Sequence, residues 1–235
     1  SEYFSIKHEK YFNVYERILS KYRDKEITFV EIGVKDGGGL FFLKKFLPKA
    51  KIIGIDINSD CKKFEKYGFN IEIGDQSSKI FWKKFFDKFN KVDVVLDDGG
   101  HTNEQQISTV ISCIPNIKDD GLLITEDVMC SYFKDFGNPS KYSFVNFSKK
   151  VVDDVNYKFV EQDILKSDLK LLEIKHYSNQ LKDSREMRMD ILSFSTLNKD
   201  DLEIFNKFSS KIKLVLSDCS EVVFFGNTLL GAYEL

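Results

Sequence analysis

The sequence predicts an α/β fold, a mostly parallel sheet with helices on both faces. Three observations predict it. Short apolar runs alternate with helical patterns from residue 28 to residue 126. Several runs are apolar throughout rather than alternating, as in parallel strands covered on both faces. Short turns bearing glycine or acid separate each run from the next helix, which demands parallel strands with right-handed crossovers.

The elements follow in order. Residues 3–23 place Tyr11, Val14, Tyr15, Ile18, Leu19 and Tyr22 at helical spacing on one face. That predicts a leading helix, and residues 1–26 read as a helical extension ahead of the sheet. Thr28 to Gly33 is a buried strand, and Lys35 to Gly39 a flexible turn. Leu40 to Leu47 is a helix stopped before Pro48. Lys51 to Asp56 is a second strand, after which Ser59-Asp60 can cap a helix running to Tyr67. Phe69 to Ile73 is the third strand, Ser77 to Phe89 an aromatic-rich helix, and Val92 to Asp97 the fourth strand. Asn103 to Ile114 is a helix before Pro115, and Gly121 to Glu126 the fifth strand.

Beyond Tyr132 the pattern loosens. Phe144 to Val155 predicts a helix, and a further helix is expected near Asp200–Phe208. Glu221–Phe225, Gly226-Asn227 and Thr228–Tyr233 read as an antiparallel hairpin. The whole is a Rossmann-like, seven-stranded, mostly parallel sheet with an antiparallel C-terminal hairpin strand. It forms one domain over residues 1–235, with 157–217 as an inserted segment.

Composition bounds the function. Hydrophobic residues make up 42% of the 235, and the net charge is -2 with both signs interspersed. That gives no basic footprint for nucleic acid and no polybasic membrane patch. No apolar run is long enough to span a bilayer, so no membrane insertion is expected. Cys61, Cys113, Cys130 and Cys219 are scattered without ligand spacing, as expected of reduced thiols. No signal-peptide pattern stands at the N-terminus. A soluble cytoplasmic protein is expected, and aromatics near the N-terminus permit a homo-oligomer.

The chemistry gathers at strand ends, where open α/β sheets bind ligands. Glu31 and Gly33 end the first strand before Gly37-Gly38-Gly39, and Asp56 ends the second. An acid there can grip ribose hydroxyls. Lys35 breaks the G-x-G-x-x-G pattern, which disfavours a pyrophosphate site. Acids in both places suit a ligand with a ribose and an amino group but no phosphates, a description S-adenosylmethionine fits. Asp75 and Gln76 lie where an adenine amine can be read. The plain alternative is a set of turn glycines and capping acids.

The densest stretch is Asp97-Asp98-Gly99-Gly100-His101. Asp98, Glu126 and Asp127 end two strands expected to be neighbours. Three converging carboxylates are costly without a cation, and an all-oxygen set points to a hard divalent ion, Mg²⁺ with Mn²⁺ as its substitute. Alone, Glu126-Asp127 reads as a solvated turn and Asp98 as a helix cap. His101, three residues on from Asp98, can take a proton from a substrate hydroxyl. The alternative is a histidine bonded to backbone at a helix start. Arg185 and Arg188 are candidates for a phosphate handle, although a solvated helix face is the stronger reading.

These motifs resemble a known family. Phe29–Gly39, Ile53–Asp56, Gly74-Asp75-Gln76, Leu96–His101 and Glu126-Asp127, in that order, resemble class I S-adenosylmethionine-dependent methyltransferases. More narrowly, they are similar to the metal-dependent macrolide-sugar O-methyltransferases of the mycinamicin and macrocin group. Lys10–Arg17 resembles that group's helix before strand one. The resemblance covers roughly 8–133 and resumes at 220–234. It implies that Glu31, Gly33, Gly37, Asp56, Ile57, Asp75, Gln76, Ser77 and Asp97 hold S-adenosylmethionine. It implies that Asp98, Glu126 and Asp127 bind the metal, and that His101, with Asp98, is catalytic. Segment 157–217 matches nothing in the group and is expected to set substrate specificity.

The function expected is methyl transfer to a hydroxyl of a small sugar acceptor, nucleotide-linked or part of a glycoconjugate precursor. The alternatives are a non-sugar metabolite or phosphorus oxyanion as acceptor, and a non-catalytic cofactor-binding partner subunit.

Overall fold

A computed structural model describes Lys7 and residues 9–137, 142–156, 213–216 and 222–225. For 9–10, 152–156, 213–216 and 222–225 it describes the backbone alone. The helix expected near Asp200–Phe208, Cys219, Arg185, Arg188 and the hairpin arm 228–233 lie outside the described residues.

Five parallel strands make the sheet that carries the site. They are β1 (Thr28–Ile32), β2 (Lys51–Asp56), β3 (Asn70–Ile73), β4 (Val92–Asp97) and β5 (Ile117–Thr125), in the order β3-β2-β1-β4-β5. The register puts Ile32 opposite Ile55 and Asp97, and Asp97 opposite Thr125. The carboxyl ends of β1, β2, β4 and β5 therefore finish at one level. Two further strands, β6 (Lys213–Leu216) and β7 (Val222–Phe225), run antiparallel to each other, and β7 runs antiparallel to β5. The sequence pairs 221–225 with the downstream segment; among the described residues its hairpin neighbour is β6, upstream.

The helices are α1 (Glu9–Leu19), α2 (Gly38–Phe46), α3 (Lys79–Phe89), α4 (Asn103–Cys113) and α5 (Phe144–Asn156). Both sheet faces are buried, which explains the continuous apolar runs. Phe29, Ile52, Val94, Leu96, Leu122 and Ile124 face Tyr15, Leu19, Leu40 and Leu43 of α1 and α2. Val30, Ile32, Ile53, Ile55, Val95 and Leu123 face Trp82, Phe85, Ile107, Val110 and Phe147 of α3, α4 and α5. Cys61, Cys113 and Cys130 are buried free thiols. Among the described residues no helix is long and apolar enough to cross a membrane.

Two expectations need correcting. Residues Ser59–Tyr67 form 3-10 turns rather than an α-helix, and Asn58, not Ser59-Asp60, is the cap: its Oδ1 accepts from Asp60 N at 3.0 Å. β5 begins at Ile117, four residues before Gly121, because exposed Lys118, Asp119 and Asp120 continue the strand across a register shift opposite Val92–Val94. Lys118 bonds Asp93 there at 2.8 Å, so the polar run is tied to the sheet by a side chain.

Candidate active site

A cavity of about 490 Å³ opens at the carboxyl ends of β1, β2 and β4. Glu31, Gly33, Asp56, Ile57, Asp75, Gln76, Asp98, His101 and Asp127 all line it. Gly37, Ser77, Asp97 and Glu126 do not, and each has a physical reason. Gly37 faces Phe64: a Cβ there would lie 2.4 Å from the ring. Ser77 turns back onto Asp75 Oδ1 through both its N–H and its hydroxyl, each at 2.8 Å. Asp97 is wholly buried beneath the loop it begins. Glu126 is wholly buried behind Asp98 and Asp127.

Local bonds set the shape. Asp56 accepts from Lys35 N at 2.9 Å and from Asn58 N at 2.8 Å, which joins the turns after β1 and β2. Gln76 spends its amide inside the protein. It donates to Asp97 Oδ1 at 2.9 Å and Thr109 Oγ1 at 3.1 Å, and accepts from Gly100 N at 2.9 Å. Gln76 is thus a positioning residue for the Asp97–His101 loop. A Cβ on Gly99 would lie 1.9 Å from its Oε1, so that glycine is needed for the close approach.

The loop hands over to α4 through a capping box. Thr102 Oγ1 accepts from Gln105 N, and Gln105 Oε1 accepts from Thr102 N, both at 3.3 Å. Such a cap contributes about 1 kcal/mol and anchors the residue beside it. His101 itself has a left-handed backbone, φ 59°, as does Asp127, φ 51°. Non-glycine residues adopt that region rarely and at a cost, and both strained residues face the same cavity.

His101 Nε2 lies 3.9 Å from Asp98 Oδ1 and 3.6 Å from Asp127 Oδ2. Those distances are beyond a good hydrogen bond but within reach of a shared cation. One ligand atom from each of Asp98, His101 and Asp127 fits within 4.8 Å of the others. Glu126 is engaged elsewhere: Lys7 Nζ donates to its Oε2 at 2.5 Å and Tyr15 Oη donates to its Oε1. Lys7 also donates to Asp98 Oδ2 at 2.7 Å, and Tyr11 Oη to Asp127 Oδ1 at 2.6 Å. Burial works to lower the pKa of Lys7, but Glu126 and Asp98 outweigh it and hold the ammonium charged. Burial raises the Glu126 carboxyl above its ordinary value, against the pull of Lys7.

Sequence reasoning misses Lys7 and the hydroxyls of Tyr11 and Tyr15. The spacing of four residues puts the two tyrosines on one stripe of α1, and Lys7, four residues earlier, stands just ahead of that helix. Periodicity marks the tyrosines only as core, and both are indeed buried; their hydroxyls reach the acids.

Two further carboxyls are buried, Glu31 on the cavity and Asp97 beneath the loop. Glu31 is 2% exposed, and its Oε2 has no hydrogen-bond partner. Gly39 makes room for it: a Cβ there would lie 1.9 Å from Glu31 Oε1. Burial pushes the Glu31 carboxyl up to about 8; the charge of Lys7 opposes this and that of Asp98 adds to it. Asp97 is pushed up to about 6 by burial, against hydrogen bonds from Gln76 and Gly99, and its Oδ2 is also unpartnered.

The raised value for Glu31 has a stability consequence. Its ordinary value is 4.5. Between that pH and about 8 the folded state keeps a proton the unfolded chain has lost, so its contribution to stability falls as pH rises. Glu31→Gln removes that loss. The expected melting temperature of the ligand-free variant at pH 8 is above the parent's by about 3 °C or more, with a smaller difference at pH 5. Calorimetric melts at the two pH values check it; no gain at pH 8 contradicts it.

With this geometry in view, comparisons with known proteins are informative. No family model matches the chain. It is 27% identical over 157 residues to the 8-demethyl-8-alpha-L-rhamnosyl tetracenomycin-C 2'-O-methyltransferase of Streptomyces olivaceus. It is 27% identical over 161 residues to demethylmacrocin O-methyltransferase of Streptomyces fradiae, and likewise to mycinamicin VI 2''-O-methyltransferase of Micromonospora griseorubida. Each match covers 63% of this chain. The chain spans about two fifths of the length of these relatives, 41% of the first and 40% of the other two. Among solved structures, a methyltransferase of the mycinamycin biosynthetic pathway in complex with Mg and SAH matches 95% of this chain and 51% of its own, with a TM-score of 0.70 at 19% identity. The chain is similar to sugar O-methyltransferases over this stretch and has a methyltransferase fold. The cavity described above lies at the carboxyl ends of the parallel strands of that fold.

Proposed function

We propose that the chain performs S-adenosylmethionine- and Mg²⁺-dependent methyl transfer to a hydroxyl of a small sugar-bearing acceptor. The observation that carries this reading is the convergence of Asp98, His101 and Asp127 on a cavity also lined by Glu31, whose buried Oε2 has no partner. The names of the relatives above support the sugar. In this reading the sheet is complete at seven strands, closed by an antiparallel C-terminal hairpin strand beyond β5.

The residues present fit both groups. Glu31 Oε2, on the cavity, is a buried acceptor in need of a donor, and Asp97 Oδ2 is a second one beneath the loop; the first suits a ligand carrying an ammonium and a sulfonium. Leaving them unmatched costs free energy. Gly33 and Gly39 leave no side chain between Glu31, the Asp98 backbone and the cavity, and Asp56 and exposed Ile57 stand at the far wall. On the other side, Asp98 and Asp127, with Glu126 behind them, supply the oxygen donors a hard divalent cation takes.

When bound, the two groups supply an activated methyl and a Lewis acid that lowers the pKa of a substrate hydroxyl. The chain supplies the rest. The Asp97–His101 loop, pinned by Gln76 and the Thr102–Gln105 box, fixes the imidazole between Asp98 and Asp127. His101 Nε2 is the atom that takes the acceptor's proton, and the flanking carboxylates stabilise the imidazolium that results. Positioning does much of the work because the methyl donor is already activated.

The test is methyl transfer from radiolabelled S-adenosylmethionine to a panel of glycosides and sugar nucleotides. Product is expected with Mg²⁺, is lost on chelation with EDTA and returns with excess Mg²⁺. Product formation indifferent to EDTA removes the metal from the mechanism.

A further inference from the structure

Three carboxylates that would serve a cation are already met by one stripe of donors. Lys7, Tyr11 and Tyr15 are spaced by four residues, Lys7 just ahead of α1 and the tyrosines on it. Tyr11 takes Asp127, Tyr15 takes Glu126, and the Lys7 ammonium bridges Asp98 and Glu126. The Lys7 side chain is 6% exposed and that of Glu126 is fully buried. A buried carboxylate of that kind is strongly disfavoured without a partner charge. Lys7 does for Glu126 what a bound metal ion would do.

The two cations would compete for the same atoms. Both Glu126 oxygens are engaged, Oε1 by the Tyr15 hydroxyl and Oε2 by Lys7. For Glu126 to become a metal ligand, the ammonium must leave Oε2. An ammonium and a dication held on one carboxylate oxygen would sit a few ångströms apart and repel.

We propose that Lys7 is an intramolecular counter-cation seated between Asp98 and Glu126, and that a divalent ion displaces it on binding. This rests on the metal site of the proposed methyltransferase. Lys7 and a divalent ion on that seat are then mutually exclusive, so the metal reports its arrival by releasing Lys7. The apparent metal affinity is lowered by the fraction of molecules in which Lys7 holds the seat.

The test uses the full chain and Mn²⁺ as the probe, followed by electron paramagnetic resonance, together with acetylation of lysines read by mass spectrometry. In the metal-free protein Lys7 is expected to resist acetylation, while Lys83, 77% exposed at its side chain, reacts freely. Saturating Mn²⁺ should raise Lys7 acetylation severalfold and leave Lys83 unchanged. Lys7→Met should bind Mn²⁺ about tenfold more tightly than the parent. If Mn²⁺ binds and Lys7 stays protected in the parent, the proposal is overturned, and the ion sits beside a resident lysine on Asp98, His101 and Asp127. Failure of both proteins to bind Mn²⁺ removes the metal site itself and the proposal with it. The acetylation arm needs no variant, so it decides between these outcomes even if Lys7→Met folds poorly.

Discussion

His101→Asn lowers turnover about 10²–10⁴-fold, the range for loss of a positioned general base, and leaves S-adenosylmethionine affinity unchanged. Asparagine is the right replacement because the backbone at 101 is left-handed, φ 59°, and asparagine tolerates that region better than alanine. The loop should therefore stay folded while the proton acceptor is lost. His101 lies on the cavity with Asp98 and Asp127, and its role is to take a proton rather than to hold the cofactor. Single-turnover rates with the acceptor found in the methyl-transfer panel, alongside calorimetric cofactor titrations, separate the two effects. A variant with parental turnover removes His101 as base; a variant that loses cofactor affinity as well shows that the loop has moved.

The second large effect is on stability. Gly33 has φ +92°, and a Cβ there would lie 2.0 Å from the Asp98 carbonyl oxygen and 2.7 Å from its carbon. That obstacle is backbone. The Asp98 amide is bonded to Ile32 O at 3.0 Å and Gly33 N to Ile55 O at 2.8 Å, so neither side can yield without parting β1 from β4 or β2. Gly33→Ala combines left-handed strain with overpacking, about 3–5 kcal/mol together, and lowers the melting temperature by about 10 °C. Gly68→Ala is the control: φ is +85° but nothing lies within 4 Å, so only the strain of about 1 kcal/mol remains. Urea unfolding of the two variants checks the difference. Equal losses would mean that the close approach of Gly33 to Asp98 does not exist in solution.

The parts of this molecule that are legible in its sequence are those set by local chemistry. Val94–Leu96 and Ile52–Ile55 are buried on both faces, and their unbroken apolar character follows from that. The acids and glycines at their ends are visible as a site because strand ends are where such sheets bind. What stays hidden depends on long-range geometry. Periodicity shows that Tyr11 and Tyr15 face inward, but not that their hydroxyls meet Asp127 and Glu126 more than a hundred residues away. Gln76 follows a strand end and reads as a ligand contact; only the fold shows its amide bound to Asp97. Glu126 and Asp127 are adjacent in sequence, which suggests one shared role. The strand puts the first into the core and leaves the second half-buried on the cavity, with different partners. The polar start of β5 is invisible to patterning because Lys118 and Asp93 join it to the sheet through side chains.

In the proposed enzyme, the cavity at the strand ends takes a methyl donor through Glu31, beside a cation held at Asp98 and Asp127. Isothermal titration of the full chain with S-adenosylmethionine, with and without Mg²⁺, tests this most directly. One-to-one binding that weakens strongly in Glu31→Gln is the predicted result; absence of binding in either buffer would contradict it.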